Sequence, residues 1–424
     1  MSQTKAQLVD AVDGSIVAAD LAADCVTTDK VANSAITDAK ISGLTSSKLT
    51  GALPAISGAS LTDLPASGKA TNLVINGSMT VAQRAEAIPA TSSTTNGYGS
   101  VDRFKVSYSG TDESPTQERV DVASGTTPYT LGFRKALRVT NGNQTSGAGA
   151  DDFITINHRV ESQDVAQSGW NYLSSSSNIT FSFWVKSSVA QTFYIVIINN
   201  DGTTYNYPVE TGSLTADTWT KITKTIPGNS NLTFNNDNGK GLEFDIQLFR
   251  GTNTTGSVTL NQWATFASAT RTPNSTTTWY TTNDATFEIT GVLLEVGDSA
   301  SDYPHETYAD TLRKCERYFQ QVRQNIFGMT QDTNGKVLWV YPLKTEMRAT
   351  PSVSATSTEY RYGNQVNAAK GISSMSIGAS GYEDNKTASF SPSGSGGSGT
   401  TTHQTQFLEP TSSSHATFQF SADL

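Results

Sequence analysis

Nine aromatic residues sit in polar, turn-like settings: Tyr98, Tyr129, Trp170, Tyr172, Tyr205, Tyr207, Trp263, Trp279 and Tyr280. Rings placed this way can stack on the apolar C–H faces of sugars, while nearby Asn, Asp, Gln and Arg side chains bind the hydroxyls. The densest cluster is Trp279-Tyr280, set among threonines with no apolar alternation around it, and Gly169-Trp170-Asn171-Tyr172 comes next. Trp279, Tyr280, Trp170, Tyr172, Tyr205 and Tyr207 are therefore the candidate glycan-binding residues. For each, the competing reading is an edge aromatic packed on a sheet or at a subunit contact. Phe181, Phe183, Phe244 and Phe287 instead read as core.

Covalent and metal chemistry find little support. His158, His305, His403 and His415 are scattered without HExxH or HxxxH spacing, and there is no Gly-x-Ser-x-Gly elbow, Walker loop or dinucleotide fingerprint. A glycan hydrolase needs two carboxylates about 5–10 Å apart. Nothing in the sequence pairs Asp151, Asp152, Glu243, Asp245 or Glu288 in that way. The expectation is a chain with no catalytic residues, no metal-ligating residues and no cofactor. Asn235-Asn-Asp-Asn-Gly239 is rich in oxygen ligands and leaves a structural Ca²⁺ open, but it departs from EF-hand spacing and reads first as an Asn/Gly turn. Cys25 fills a small-residue slot of a repeat and Cys315 lies on a helical stripe with Leu312, Phe319 and Val322, so no disulfide framework is implied.

The elements that position these residues are mostly strands. Thr180–Lys186 alternates, Thr192–Ile198 is a nearly continuous apolar run, and Asp201-Gly202 supplies a hairpin turn. Further strands are read at 219–226, 241–249 and 285–296, with Val337, Trp339 and Tyr341 alternating later and Phe418 and Phe420 near the end. One helix is expected, over 308–323. The 424 residues are rich in Ser, Thr, Asn and Gly, which suits exposed β structure with many turns. A net charge of −9 argues against nucleic acid. No window has the roughly 18 apolar residues of a membrane span, so no membrane insertion is expected. The opening MSQTKAQLVDAV has no apolar signal-peptide core, and secretion is not indicated.

Ahead of the strands lies a repeat with one aliphatic residue in five: Ile16, Leu21, Val26, Val31, Ile36, Ile41, Leu44 and Leu49. Such spacing fits neither a helix nor a half-buried strand. It can line the axis of a shaft in which identical chains bury their aliphatics against one another.

These residues resemble bacteriophage tail-fibre and related virion receptor-binding proteins. The repeat is similar to the thin shafts of such fibres, and Ala52–Pro65 to the segment that commonly ends them. Asn72–Met79 with Gly97-Tyr98 and Val101–Phe104 resembles the opening of their β-sandwich, and Thr180–Lys186 and Ile289–Gly297 its inner strands. Tyr303–Phe319 resembles the exit helix, and Met347–Val353 with Ala416–Leu424 a terminal small β domain.

The resemblance implies a mainly β chain: a slender trimeric N-terminal shaft, a jelly-roll-type β-sandwich that looks like a carbohydrate-binding module, a short helix and a small C-terminal β domain. The expected divisions are a virion-docking segment (1–14), shaft and linker (15–70), sandwich (71–307), helix (308–323) and C-terminal β domain (324–424). The implied function is that of a tail-fibre adhesin, not an enzyme, located on the virion. Its implied partners are two further copies of itself, a phage tail or baseplate protein at the N-terminus and a host surface polysaccharide. The alternatives are a structural virion component (collar, baseplate or capsid decoration) that uses the sandwich as scaffold, a glycan depolymerase, and a bacterial surface adhesin.

Overall fold

The computed structural model describes residues 71–84, 93–322, 326–330, 337–355, 360–363, 370–371, 374–377, 387–393, 405–410 and 418–424. The eight aliphatics assigned to the shaft axis, Ile16 to Leu49, lie outside the described residues, as do His403 and His415.

Two antiparallel sheets form the sandwich. One has the order β1-β4-β9-β6-β7-β10, from β1 (Lys105–Ser109), β4 (Phe153–Glu161), β6 (Thr192–Asn199), β7 (Tyr205–Ser213), β9 (Lys240–Arg250) and β10 (Ala264–Thr265). The other has the order β2-β3-β11-β5-β8, from β2 (Thr116–Asp121), β3 (Lys135–Thr140), β5 (Asn178–Ser187), β8 (Thr220–Pro227) and β11 (Thr286–Val296). The chain switches sheets at β1–β2, β3–β4, β4–β5, β5–β6, β7–β8, β8–β9 and β10–β11, which is jelly-roll-type connectivity.

Strand alternation builds the core between the sheets. From β5 come Ile179, Phe181, Phe183 and Val185, and from β9 come Leu242, Phe244, Ile246 and Leu248. Phe181, Phe183, Phe244 and Phe287 are all buried there, as their alternation predicts. Each such side chain removed from water contributes about 1.5–3 kcal/mol. The apolar run of β6 divides in the same way. Phe193, Ile195 and Ile197 enter the core, and Val196 is buried on the opposite face.

Among the described residues four short helices punctuate the strands: α1 (Thr127–Thr130), α2 (Ser162–Ala166), α3 (Thr278–Thr281) and α4 (Tyr308–Glu316). Thr307 caps α4, its hydroxyl accepting from the Asp310 N–H at 3.2 Å. The helix expected over 308–323 stops at Glu316. Phe319–Val322 is instead a strand, β12, paired with β21 (Phe418–Ser421). Gln320 gives the local reason: its buried amide donates to Glu316 O and Thr345 O, each at 3.0 Å, and accepts from Lys344 N–H. A side chain committed to those partners satisfies one of the terminal carbonyls, and tertiary pairing overrides the helical stripe.

β12, β21 and β15 (Ser352–Ala355) form a three-stranded sheet. A seven-stranded sheet takes the order β17-β16-β20-β13-β14-β19-β18. Its strands are β13 (Ile326–Thr330), β14 (Val337–Pro342), β16 (Tyr360–Gly363), β17 (Lys370–Gly371), β18 (Ser374–Ile377), β19 (Thr387–Ser393) and β20 (Thr405–Pro410). The end of the chain is stitched to the sandwich. Arg84 pairs with Asp423 and stacks on the Phe319 ring at 3.6 Å, while Arg159 and Tyr98 donate to Leu424 O.

Candidate functional site

The outward face of the six-stranded sheet carries a groove of about 510 Å³. That volume falls within the range of about 300–1,000 Å³ typical of small-molecule sites. Its floor is made by alternation: with Leu242, Phe244 and Ile246 directed to the core, Glu243, Asp245 and Gln247 face out. In register on β4 stand Arg159 opposite Glu243, Asn157 opposite Asp245 and Thr155 opposite Gln247. A register shift between Ile154 and Thr155 keeps Phe249 in the core and turns Arg250 into the groove.

The floor is a tightly bonded polar lattice. Asp245 is only 3% exposed and Arg250 5%. Asn157 Nδ2 donates to Asp245 Oδ1 at 2.9 Å, and the Arg250 guanidinium meets Oδ2 at 3.3 Å. Gln247 adds a 3.4 Å bond to Oδ2 and is itself fixed by the Thr272 hydroxyl at 2.8 Å. Glu243 meets Lys240 at 2.9 Å and Arg159 at 3.5 Å. Burial pushes the Asp245 carboxyl above the usual carboxylate range, with Arg250 opposing and Glu243 adding to the rise. At the margins, guanidinium groups lie over two rings of the lining, Arg250 over Phe153 at 5.0 Å and Arg271 over Phe266 at 5.2 Å. Fixed donors, fixed acceptors and two flanking rings can hold a polyhydroxylated ligand without reorganising.

None of the six aromatics expected to bind glycan lines this groove. Trp279 and Tyr280 are fully buried on α3, which corrects the reading of them as exposed. The Trp279 indole N–H donates to Thr286 O at 3.1 Å, and Tyr280 stacks on Phe249 at 4.2 Å with its hydroxyl on Asp152 at 2.9 Å. Trp170 is buried too, bonded to Ser177 O, and forms a cluster with Tyr172 and Phe234. Tyr207 is in the core against Trp263, and Tyr205 packs on the core's edge. Tyr172 and Tyr205 are the two of the six that remain part-exposed. Trp170, Tyr207, Trp279 and Tyr280 thus belong to the core, and Tyr172 and Tyr205 pack against it.

The groove residues carried a weaker signal, polar residues at every second position of two apolar strands. Thr155, Asn157 and Arg159 interleave with Ile154, Ile156 and Val160, as Glu243, Asp245 and Gln247 do with their neighbours. Phe266 and Arg271 reach the site from a loop, where the sequence offers no comparable cue.

Asn235–Gly239 is engaged with protein groups: Asp237 accepts from the Gly239 N–H at 2.8 Å, Asn235 bonds Asp201, and Asn236 accepts from Gln167. Among the described residues no three His, Cys, Asp or Glu side chains converge as metal ligands. His158 is enclosed by Phe104 and Phe244, stacked on the latter at 5.3 Å. His305 bonds Leu131 O at 2.8 Å beside a smaller cavity of about 280 Å³ that includes Trp184 and Tyr303.

No family model matches the chain, and no curated protein does. Solved structures give distant likenesses. A tailspike domain of bacteriophage CBA120, described as enzymatically active, is 10% identical with a TM-score of 0.29, over 53% of this chain and 21% of that one. A family 11 carbohydrate-binding module of Clostridium thermocellum, solved with a mixed-linked tetrasaccharide, is 11% identical with a TM-score of 0.22, over 47% and 93%. A tandem of family 22 carbohydrate-binding modules from Paenibacillus barcinonensis is 8% identical with a TM-score of 0.24, over 85% and 100%. The match spans about a fifth of the tailspike chain. The sandwich architecture of this protein rests on its own sheet order.

Proposed function

We propose that this protein is a phage tail-fibre adhesin that binds a host surface glycan in the groove of the six-stranded sheet, by recognition without catalysis. The observation that carries the reading is the buried Asp245 held by Asn157, Gln247 and Arg250 on the floor of an open groove. Charged groups buried on a sheet face stabilise less than apolar residues of the same volume would. A floor of this kind is expected where a ligand uses it. The virion part of the proposal is supported by the resemblance of residues 15–70 to fibre shafts. A homotrimer on the virion would add avidity, because each linked copy binds at high effective concentration.

The test is binding of the labelled full-length chain to host cells, scored together with competition against phage adsorption. Binding that blocks adsorption, and that weakens about tenfold when Phe266→Ala removes a flanking ring, is the expected result. No binding by the folded protein would favour a structural virion component with the sandwich as scaffold. Soluble sugar released from host polysaccharide would replace recognition with hydrolysis.

A further inference from the structure

We infer that the groove takes an acidic glycan, its anionic substituent seated against Arg250 and Arg271; this rests on the glycan-binding reading above. The chain as a whole is acidic, at −9, yet the groove lining holds four cations (Arg159, Lys240, Arg250 and Arg271) against three carboxylates (Asp151, Glu243 and Asp245). Lys105 joins the cations on the same sheet face, in register with Asn157.

Each carboxylate of the lining is already occupied. Asp245 is taken by Arg250 and two amides, Glu243 by Lys240 and Arg159, and Asp151 accepts from Asn253 at 2.9 Å. Arg271 keeps only a 3.3 Å bond to Ser268 O and the face of Phe266, with no carboxylate within 4 Å among the described residues. Arg250, nearly nineteen-twentieths buried, has no hydrogen-bond partner for its Nε.

Neighbouring cations add to burial in shifting two of these groups, against the pull of Glu243 on both. Burial, and then the neighbouring Arg250, lowers Arg271, while burial and then Arg159 lowers Lys105. An anion placed between the two guanidinium groups would relieve that repulsion and supply acceptors for their planar donor sets. A neutral sugar could accept hydrogen bonds from these donors but would leave their charge uncompensated.

The experiment measures affinity of the full-length chain for three probes: polygalacturonate (carboxylate), phosphomannan (phosphate) and dextran (neutral). Each is measured at low and at raised salt, with Arg271→Gln alongside. The expected result is binding to one anionic probe that is at least about tenfold tighter than to dextran. It should weaken as salt rises and lose about tenfold in Arg271→Gln. Which anionic probe binds distinguishes carboxylate from phosphate. Dextran bound as tightly as the anionic probes, with salt and Arg271→Gln of no effect, would overturn the acidic specificity while leaving glycan binding intact. Failure of all three probes together with host cells would overturn the glycan reading itself.

Discussion

Asp245 and Arg250 show how much of this molecule turns on single charges. Replacing Arg250 by Leu would leave a buried carboxylate with amide donors but no cation, a loss of about 3 kcal/mol at neutral pH. Because the Asp245 carboxyl already titrates above its usual range, the variant's deficit should shrink in acid, where the group accepts a proton; urea unfolding at two pH values would measure both. His158 responds in the opposite sense. Burial, with Arg103 adding, holds its imidazole well below the usual histidine range. The unfolded chain therefore binds a proton near about pH 6.5 that the fold refuses, and stability drains away as pH falls below that value. Asp102 partly offsets this lower down. Its folded pKa is raised to about 6 by burial, so the native state gains protons between there and the unfolded value near about 3.9. The expected outcome for His158→Leu is a smaller drop in melting temperature between about pH 7.5 and about pH 5.5 than in the parent. At this scale the site was poorly legible. Trp279 and Tyr280 advertised themselves by composition but serve the core, whereas Asn157, Asp245 and Arg250 become one cluster only when β4 and β9 come into register.

Strands read more plainly than sites, because alternation is a local signal and pairing is not. Five of the strands expected from the sequence recur within a residue or two of their observed limits, among them 241–249 inside Lys240–Arg250 and 285–296 beside Thr286–Val296. The helix was overextended because its apolar stripe runs on into Phe319 and Val322, and the partner that converts them to a strand lies about a hundred residues later in β21. The glycine of β11 makes an element-scale test. Gly291 adopts φ +62° beside the irregularity between Thr290 and Leu293, and a Cβ there would lie 2.6 Å from the Phe133 ring. Gly291→Ala should therefore cost about 1–3 kcal/mol through backbone strain and displaced Phe133, seen as a lowered urea midpoint with an unchanged slope.

For the whole molecule, the outstanding claim is assembly. If Ile36 and Ile41 line a shared axis, changing both to Asp places three charges at each of those two levels of a narrow apolar seam. Sedimentation should then show monomers where the parent chain gives trimers; an unchanged mass would remove the axial arrangement from consideration. The sandwich has a different kind of long reach. Asn72 donates to Val292 O at 2.9 Å and accepts from Leu294 N–H at 3.0 Å, across 220 and 222 residues of chain. On a ribosome adding about 5–20 residues per second, the first segment waits roughly 10–45 s for those partners to be made. Val74, Met79 and Val81, in the same segment, are all buried in the finished fold. The nascent chain thus offers a chaperone a long window, and a product interrupted before Val292 leaves Asn72 without either partner on β11, so translation itself times the last seam of the sandwich.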